Sequence, residues 1–430
     1  MVAPSPSRAA TAQASAGPGS SRRPAAALVA VLGALTAVAP LAIDMYVPGF
    51  PSMGDALGAS SSAVQLTMTA FLAGLVVGQL IIGPLSDGLG RRGLLISGSA
   101  GFVFFSLACA VAPNIAVLTG VRFLQGVAGA AGMVLARAVL TDRFHGADLP
   151  RYFAVLSQVM GVAPIAAPVL GGAILSVATW RAVFAALAVL GVLLLLAVLR
   201  AVPESLPPER RHGRGVASTF GAMGSLLARR TFMGYVLVVA LAAAALFTYI
   251  SGSSFVFENL HGVSSTTYSL IFATNAVGML IAGAVFARLA GRGVRLNTLL
   301  TAGVGISLLG ALAQVLQVVV VGETLVGTWI TLFVTVGGIG MVFPGGMSIG
   351  QTVGRAAPGA ASALLGGLQF FLGALASPLV GLFGEDSSLP MALIMLIAVA
   401  AAGLALVGLA RPWQGHGEPD DSAVRGGPGA

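Results

Sequence analysis

The 430-residue chain is 57% hydrophobic and only 8% charged, with a mean hydropathy of +0.96, which excludes an ordinary soluble globular domain and marks a polytopic membrane protein. The formal charge of +8 is carried by arginines alone; these fall in short loops between apolar runs and not on one soluble face, so membrane orientation accounts for them and nucleic acid is excluded as a partner. The single cysteine, Cys109, sits in an apolar run, which excludes disulfides and cysteine metal sites. Residues 1–23 are rich in Ala, Ser, Pro and Gly and cannot bury a core, so a disordered tail is expected there. The apolar run from Pro24 to Asp44 is long and is followed by more spans, so it is read as a retained first helix and not as a cleaved signal.

Twelve apolar spans follow, beginning near residues 24, 61, 93, 114, 151, 180, 231, 266, 296, 324, 358 and 388. Arginines occupy both ends and the even-numbered connections, at Arg91 and Arg92, Arg143 and Arg151, Arg200 to Arg230, Arg288 to Arg295, and Arg355. The odd-numbered connections hold Asp55, Glu258, Glu323, Glu385 and Asp386 against one arginine, Arg181. An excess of arginine marks the cytoplasmic side, so both termini are expected there, in a cell membrane. The longest connection, residues 203–230 with Pro203, Pro207 and Pro208, divides the helices into bundles at 24–202 and 231–411. Within it Val216, Phe220, Met223 and Leu227 recur at helical spacing, as in an amphipathic segment on the membrane surface. Residues 412–430 are expected to be a second disordered tail. The fold class is therefore all-α, with two related six-helix bundles, the architecture of transporters built from repeats.

Between the second and third spans the chain reads Gly83-Pro84-Leu85-Ser86-Asp87-Gly88-Leu89-Gly90-Arg91-Arg92. A glycine, three residues, an aspartate, then a glycine and paired basic residues resembles the loop signature of major facilitator superfamily transporters; Gly88 stands where the family usually has arginine. A weaker copy, Gly283 to Arg295, lies 200 residues on and has Ala287 in place of Asp87. Asp87 is expected to face the start of the eleventh span, where Pro358 and Gly359 leave amides free at the positive end of a helix dipole. Such a contact would cross between bundles and shut the cytoplasmic side, which makes Gly83, Asp87, Gly90, Arg91 and Arg92 gate residues.

Charge inside the bilayer is costly and is by default a functional candidate. Arg122 lies about eight residues into the fourth span, so about 12 Å below the surface at 1.5 Å per residue. Arg122-Phe123-Leu124-Gln125-Gly126 with Gly129 resembles the family's fourth-helix motif, whose arginine is implicated in proton transfer. Asp44, placed at the outer end of the first span in Leu41-Ala42-Ile43-Asp44-Met45-Tyr46-Val47-Pro48-Gly49-Phe50-Pro51, is the expected partner of Arg122. This segment resembles the first-helix signature of the Bcr/CflA drug-resistance branch, and a carboxylate there can alternate between a proton and a cationic or polar substrate. Arg137 through Asp142, Trp180-Arg181, Phe247 to Val256 and Ala360 to Gly366 extend the resemblance over most of the chain. The stretch containing Pro164, Pro168, Gly171 and Gly172 resembles the antiporter motif and is read as part of a moving interface.

Polar and aromatic residues within spans, Tyr46, Gln65, Gln158, Tyr249, Phe255, Asn275 and Gln369, are candidates for a central cavity. A mostly apolar cavity with few polar anchors suits amphipathic compounds of varied shape. The four histidines lie in loops or the tail and form no ligand or nucleophile pattern, so an enzyme and a metal site are not expected. Without a lysine there is no phosphate-cradling motif for ATP-driven transport, and no cofactor beyond the proton gradient is implied. The reading is a monomeric proton-coupled drug exporter in the lipid bilayer. The alternatives are an exporter of an endogenous metabolite and a membrane sensor on the same scaffold.

Overall fold

The computed structural model describes residues 22–144, 148–211, 216–382 and 387–418. The described residues are helical without strands, and twelve helices are long and apolar enough to cross a membrane. In order these spans are Ala25–Leu57, Ser61–Leu89, Arg91–Ala110, Ile115–Arg143, Gln158–Leu175, Trp180–Ala201, Arg230–Leu260, Ser265–Ala290, Leu296–Val321, Leu325–Val353, Gly359–Leu382 and Leu389–Ala410. No helix starts more than three residues from its expected position, the fifth beginning at Asp148 ahead of its apolar part. Residues 1–21 and 419–430, where most of both tails fall, lie outside the described residues, as do Arg214, Glu385 and Asp386.

The packing follows one pattern twice. The second and third spans pack on the fourth, the third also on the sixth, and the first on the fourth, fifth and sixth. The eighth and ninth spans pack on the tenth, the ninth also on the twelfth, and the seventh on the tenth, eleventh and twelfth. Advancing each helix of the first set by six gives the second, so the halves are structural repeats. The halves meet where the second span packs on the eleventh and the fifth on the eighth, two contacts that the same operation exchanges.

Apolar surface gives helices no reason to prefer one another over lipid tails, so close contact rests on small residues. A Cβ on Gly126 would strike the Phe71 carbonyl oxygen, and one on Gly74 would strike the Phe123 carbonyl oxygen, so the second and fourth spans touch backbone to backbone. Gly120 on the same fourth span has open space where its Cβ would be.

The first span is not one helix. It runs from Arg22 to Asp44, turns through a 3-10 segment at Val47–Gly49, and resumes at Phe50–Leu57. Pro48 and Pro51 fall at the starts of the two later segments, where a missing amide costs nothing. Asp44 was expected at the outer end of this span; the helix instead continues for 8 residues beyond the turn, so Asp44 stands at a break inside it. The seventh span, the counterpart of the first, is also irregular and becomes π-helical over Phe255–Leu260.

The linker contains the helix Val216–Leu227, which buries Met223 and Leu226 against Phe232, Ala361 and Leu365 at the end of the second half. Leu227, expected on the same face, is exposed, and the side chains of Val216 and Phe220 lie outside the described residues. The second tail departs further from expectation. Residues 412–418 are ordered: a 3-10 turn at Pro412–Gln414 leads to Glu418, which accepts bonds from the amides of Leu296 and Asn297 at 3.0 and 2.7 Å.

A Gly126→Val substitution should force the second and fourth spans apart and destabilise the protein by about 1–3 kcal/mol, the usual scale of overpacking. Thermal unfolding of the detergent-solubilised chain reads this out, with Gly120→Ala expected to stay near wild type.

Candidate transport site

A cavity of about 310 Å³ lies between the halves, and its ionisable side chains are Asp44, Arg137 and Tyr249. The break in the first span presents Asp44 to it, and the rest of the wall is chiefly apolar and aromatic. A larger void of about 650 Å³ lies toward the arginine-rich ends of the spans and shares Arg137 and Met160 with the central cavity. Gly83 and Asp87 on the second span and Gly359 on the eleventh line this outer void together. The site therefore opens toward the arginine-rich side.

Asp44 is 3% exposed, and its Oδ1 has no hydrogen-bond partner. Arg122 is fully buried but does not pair with it: among the described residues Arg122 forms no ion pair. Its Nη1 donates to Gln125 Oε1 at 2.6 Å, and its Nη2 donates to the Ala42 carbonyl at 3.1 Å. The guanidinium carbon lies 4.3 Å from the Tyr46 ring centre and 4.2 Å from that of Phe71. The Ala42 carbonyl belongs to the last turn of a helix that stops at Asp44, where acceptors are left over and the dipole is negative. Arg122 thus caps the broken helix and sits between two aromatic faces, both favourable places for a cation. The expected Asp44–Arg122 pair is replaced by an indirect link through the backbone two residues upstream.

The face opposite the arginine-rich ends is closed. Gln65 Nε2 donates to the Ser251 carbonyl at 3.2 Å while its Oε1 accepts from the Gly381 amide at 3.0 Å, so one side chain of the first half clasps two helices of the second. Phe255 meets Phe50 across the same seam with ring centres 6.0 Å apart. Thr69 donates to the Ala374 carbonyl at 2.9 Å. Gly171 and Gly172 serve two directions: a Cβ on Gly171 would strike the Met45 carbonyl at the first-span break, and one on Gly172 would strike Ser269 of the eighth span. Pro164, two turns earlier on the same helix, lines the central cavity, and Pro168 between them is buried.

The remaining candidates divide. Tyr249 and Gln369 line the cavity, and Asn275 supports Tyr249 by donating to its hydroxyl at 3.0 Å. Tyr46 does not reach the cavity; it is buried beside Arg122 with its hydroxyl 3.2 Å from that of Thr67. Gln65 and Phe255 belong to the closed seam, and Gln158 is exposed and lines neither void. Sequence reasoning passed over Arg137 as part of a motif, although a charge six residues inside the end of a span was the available signal.

The loop signature forms a compact cluster. Gly90 holds φ +95°, a conformation that favours glycine, and a Cβ there would lie 2.7 Å from Glu204 Oε2. Arg91 bonds Asp87 at 2.7 Å and Asp142 at 3.2 Å, whereas Arg92 donates to the Val202 and Leu199 carbonyls at 2.9 and 3.1 Å. Asp87 was expected to reach the start of the eleventh span; in this conformation it is half exposed and bound to Arg91 within its own half. Glu204, just past the sixth span, accepts from the Arg91 and Arg92 amides at 2.9 and 3.2 Å and so caps the third span. Glu418, just past the twelfth, caps the ninth in the same way.

Twelve spans in two repeats, with a cavity between the halves open on one side and closed on the other, are the architecture of a membrane transporter. The family model described as Major Facilitator Superfamily matches residues 32–378, and the chain belongs to that superfamily. It is 39% identical over 387 residues to "Uncharacterized MFS-type transporter YdgK" of Bacillus subtilis, covering 90% of this chain and 96% of that one. It is 27% identical over 378 residues to "Bicyclomycin resistance protein homolog" of Haemophilus influenzae, covering 88% and 94%. Among solved structures, a bacterial homologue of the lysosomal transporter Spinster shares the fold with a TM-score of 0.71 at 16% identity, covering 92% of this chain and 99% of that one. The branch resemblance read from the first span agrees with these relatives.

Partial burial alone would raise the Glu204 carboxyl, but amide bonds from Leu206, Arg91, Arg92 and Ser205 outweigh it and hold the group below its ordinary range. A depressed folded value means that the clasp adds stability above the unfolded pKa of about 4.3 and loses it as pH falls through the folded value. Glu204→Ala should cost about 0.5–2 kcal/mol at neutral pH, the scale of a lost helix cap. In thermal unfolding the gap between variant and wild type should close on acidification below about pH 4.

Proposed function

We propose that the chain is a proton-coupled exporter of small amphipathic drug-like compounds, a drug:proton antiporter working by alternating access in the cell membrane. The observation that carries this reading is Asp44: a buried carboxyl with an unpartnered oxygen, placed by a helix break at the wall of the central cavity. A buried charge must find a partner or be neutralised, and among the described residues Asp44 has no ion pair. A proton and a substrate cation or dipole can therefore exchange there, which is the requirement for antiport. Half-helix ends near the bilayer midplane are where transporters place substrate and coupling ions.

The concentration of arginine at Arg91, Arg92, Arg143, Arg288, Arg292 and Arg295 supports a cytoplasmic open side with both termini on it. The conformation then presents the cavity to compounds inside the cell. Arg122 enters the cycle through the Ala42 carbonyl: by capping the first half-helix it fixes the direction in which Asp44 points, and a change at Asp44 can be felt at Arg122 through the turn between them. Gly171 against the break and Gly172 against the eighth span connect this turn to the closing seam. The chain acts as a monomer, with protons, substrate and lipid as its partners. A relative named as a bicyclomycin resistance protein homolog supports the substrate class.

The test is proton movement in inverted vesicles, followed with a pH-sensitive dye, against amphenicol, bicyclic peptide and cationic compounds. Wild type should dissipate the gradient on addition of a transported compound, and Asp44→Asn should lose the response at least tenfold while still inserting normally. Proton movement that survives in Asp44→Asn removes Asp44 from the coupling step.

A further inference from the structure

Arg137 is the positive charge of the central cavity and has no function in the reading above. It lies on the fourth span six residues before Arg143, about 9 Å from the helix end at 1.5 Å per residue. Its polar contact is a donation from Nη2 to the Met160 thioether at 3.5 Å, a weak acceptor, and among the described residues it forms no ion pair. The nearby acids are engaged elsewhere: Asp142 accepts from Arg91 and Ser205, and Asp87 from Arg91. An arginine at this depth can snorkel along lipid to the interface. Arg137 instead faces inward, where it lines both the central cavity and the void leading to it.

Two opposite charges thus bound the cavity, Asp44 at the helix break and Arg137 at the mouth, with apolar walls between them. When Asp44 carries a proton, the cavity is left with one uncompensated cation. A guanidinium offers a fork of donors that matches a carboxylate or a similarly charged acceptor. We infer that Arg137 binds an acidic group of the transported compound, and that the site selects amphipathic molecules with a carboxylate or comparable anion at one end. This inference rests on the transporter reading and adds to it a specificity-determining residue and a substrate class. Arg137 holds the acid end at the mouth while the apolar body fills the cavity, so a cationic or polar far end would reach toward Asp44.

Dansyl compounds sharing one fluorophore test this with the full chain in lipid nanodiscs: dansylglycine, its methyl ester, and dansylcadaverine. Wild type should bind dansylglycine about ten- to a hundredfold more tightly than the ester, the range set by one charge-assisted hydrogen bond. Arg137→Gln should abolish that preference while keeping its affinity for the ester, which shows the cavity intact, and Arg137→Lys should restore part of it. A wild type without preference for the acid, or an Arg137→Gln variant that keeps the wild-type ratio, overturns the inference. Transport separates the two readings. Proton-linked export of dansylcadaverine by a protein whose acid preference does not depend on Arg137 sinks the inference and leaves the exporter standing; acid-selective binding with no proton movement for any probe does the reverse.

Discussion

The structure depends on how the first span is broken. Ending a helix inside a bilayer leaves carbonyl groups that no water can satisfy, and each costs free energy until it finds a donor. Arg122 meets that demand at Ala42, and its own burial is made tolerable by the carbonyl, by Gln125 and by the faces of Tyr46 and Phe71. Neither the break nor the buried arginine is stable without the other. Their combination leaves Asp44 at a cavity wall with an oxygen that has no partner among the described residues, the feature on which the proposed proton exchange rests. The aromatic environment has a second effect: Tyr46 packs on Phe50 and Phe184, so the guanidinium is fixed within the core of the first half and cannot swing into the cavity without disturbing it.

The twofold pattern of packing extends to the loops. Glu204 and Glu418 both follow the last helix of their half and both cap the helix that follows the loop signature or its decayed copy. In each half one carboxylate past the last helix ties the arginine-rich side within that half. The copies differ in what surrounds them. In the first half Arg91, Asp87 and Asp142 add ion pairs, whereas in the second Ala287 stands in place of the aspartate and Asn297 takes the capping carboxylate through its side chain as well. Among the described residues the second half thus lacks the charge cluster but has the same glutamate cap.

Hydropathy and arginine placement made the twelve spans legible because a lipid environment leaves few alternatives to a helix about 20 residues long. The direction in which a side chain points was far less legible. Gln65, Tyr46 and Phe255 have the polarity and size of cavity residues, yet packing uses them for a clasp, a ring against a guanidinium and a seal. Periodicity is weak evidence when a helix is apolar on every side, since it has no polar face to fix its rotation. Pro48, Gly49 and Pro51 read as an exit from the membrane, and only the resumption of helix at Phe50–Leu57 shows that the same residues punctuate a span. Glu418 was hidden for another reason: a tail rich in Gly, Pro and Asp gives no local signal that one carboxylate docks on a distant helix end.

The proposed alternating access needs two closures of similar free energy, and the two faces of this chain are held by different interactions. The closed seam is held by a few neutral hydrogen bonds, those of Gln65 and Thr69 with backbone groups, beside Phe50 against Phe255. Each such bond contributes about 0.5–1.5 kcal/mol net, so no single one of them locks the closure. On the open side Asp87 is already bound to Arg91 within its own half. A contact from Asp87 to the eleventh span would therefore exchange an existing interaction for a new one and would gain only their difference. In the proposed cycle, two states of similar free energy can be reordered by one bound compound or one proton, provided that each binds the two states unequally. In the proposed cycle Asp44 and Arg137 are placed to meet that condition, because both line the cavity between the halves.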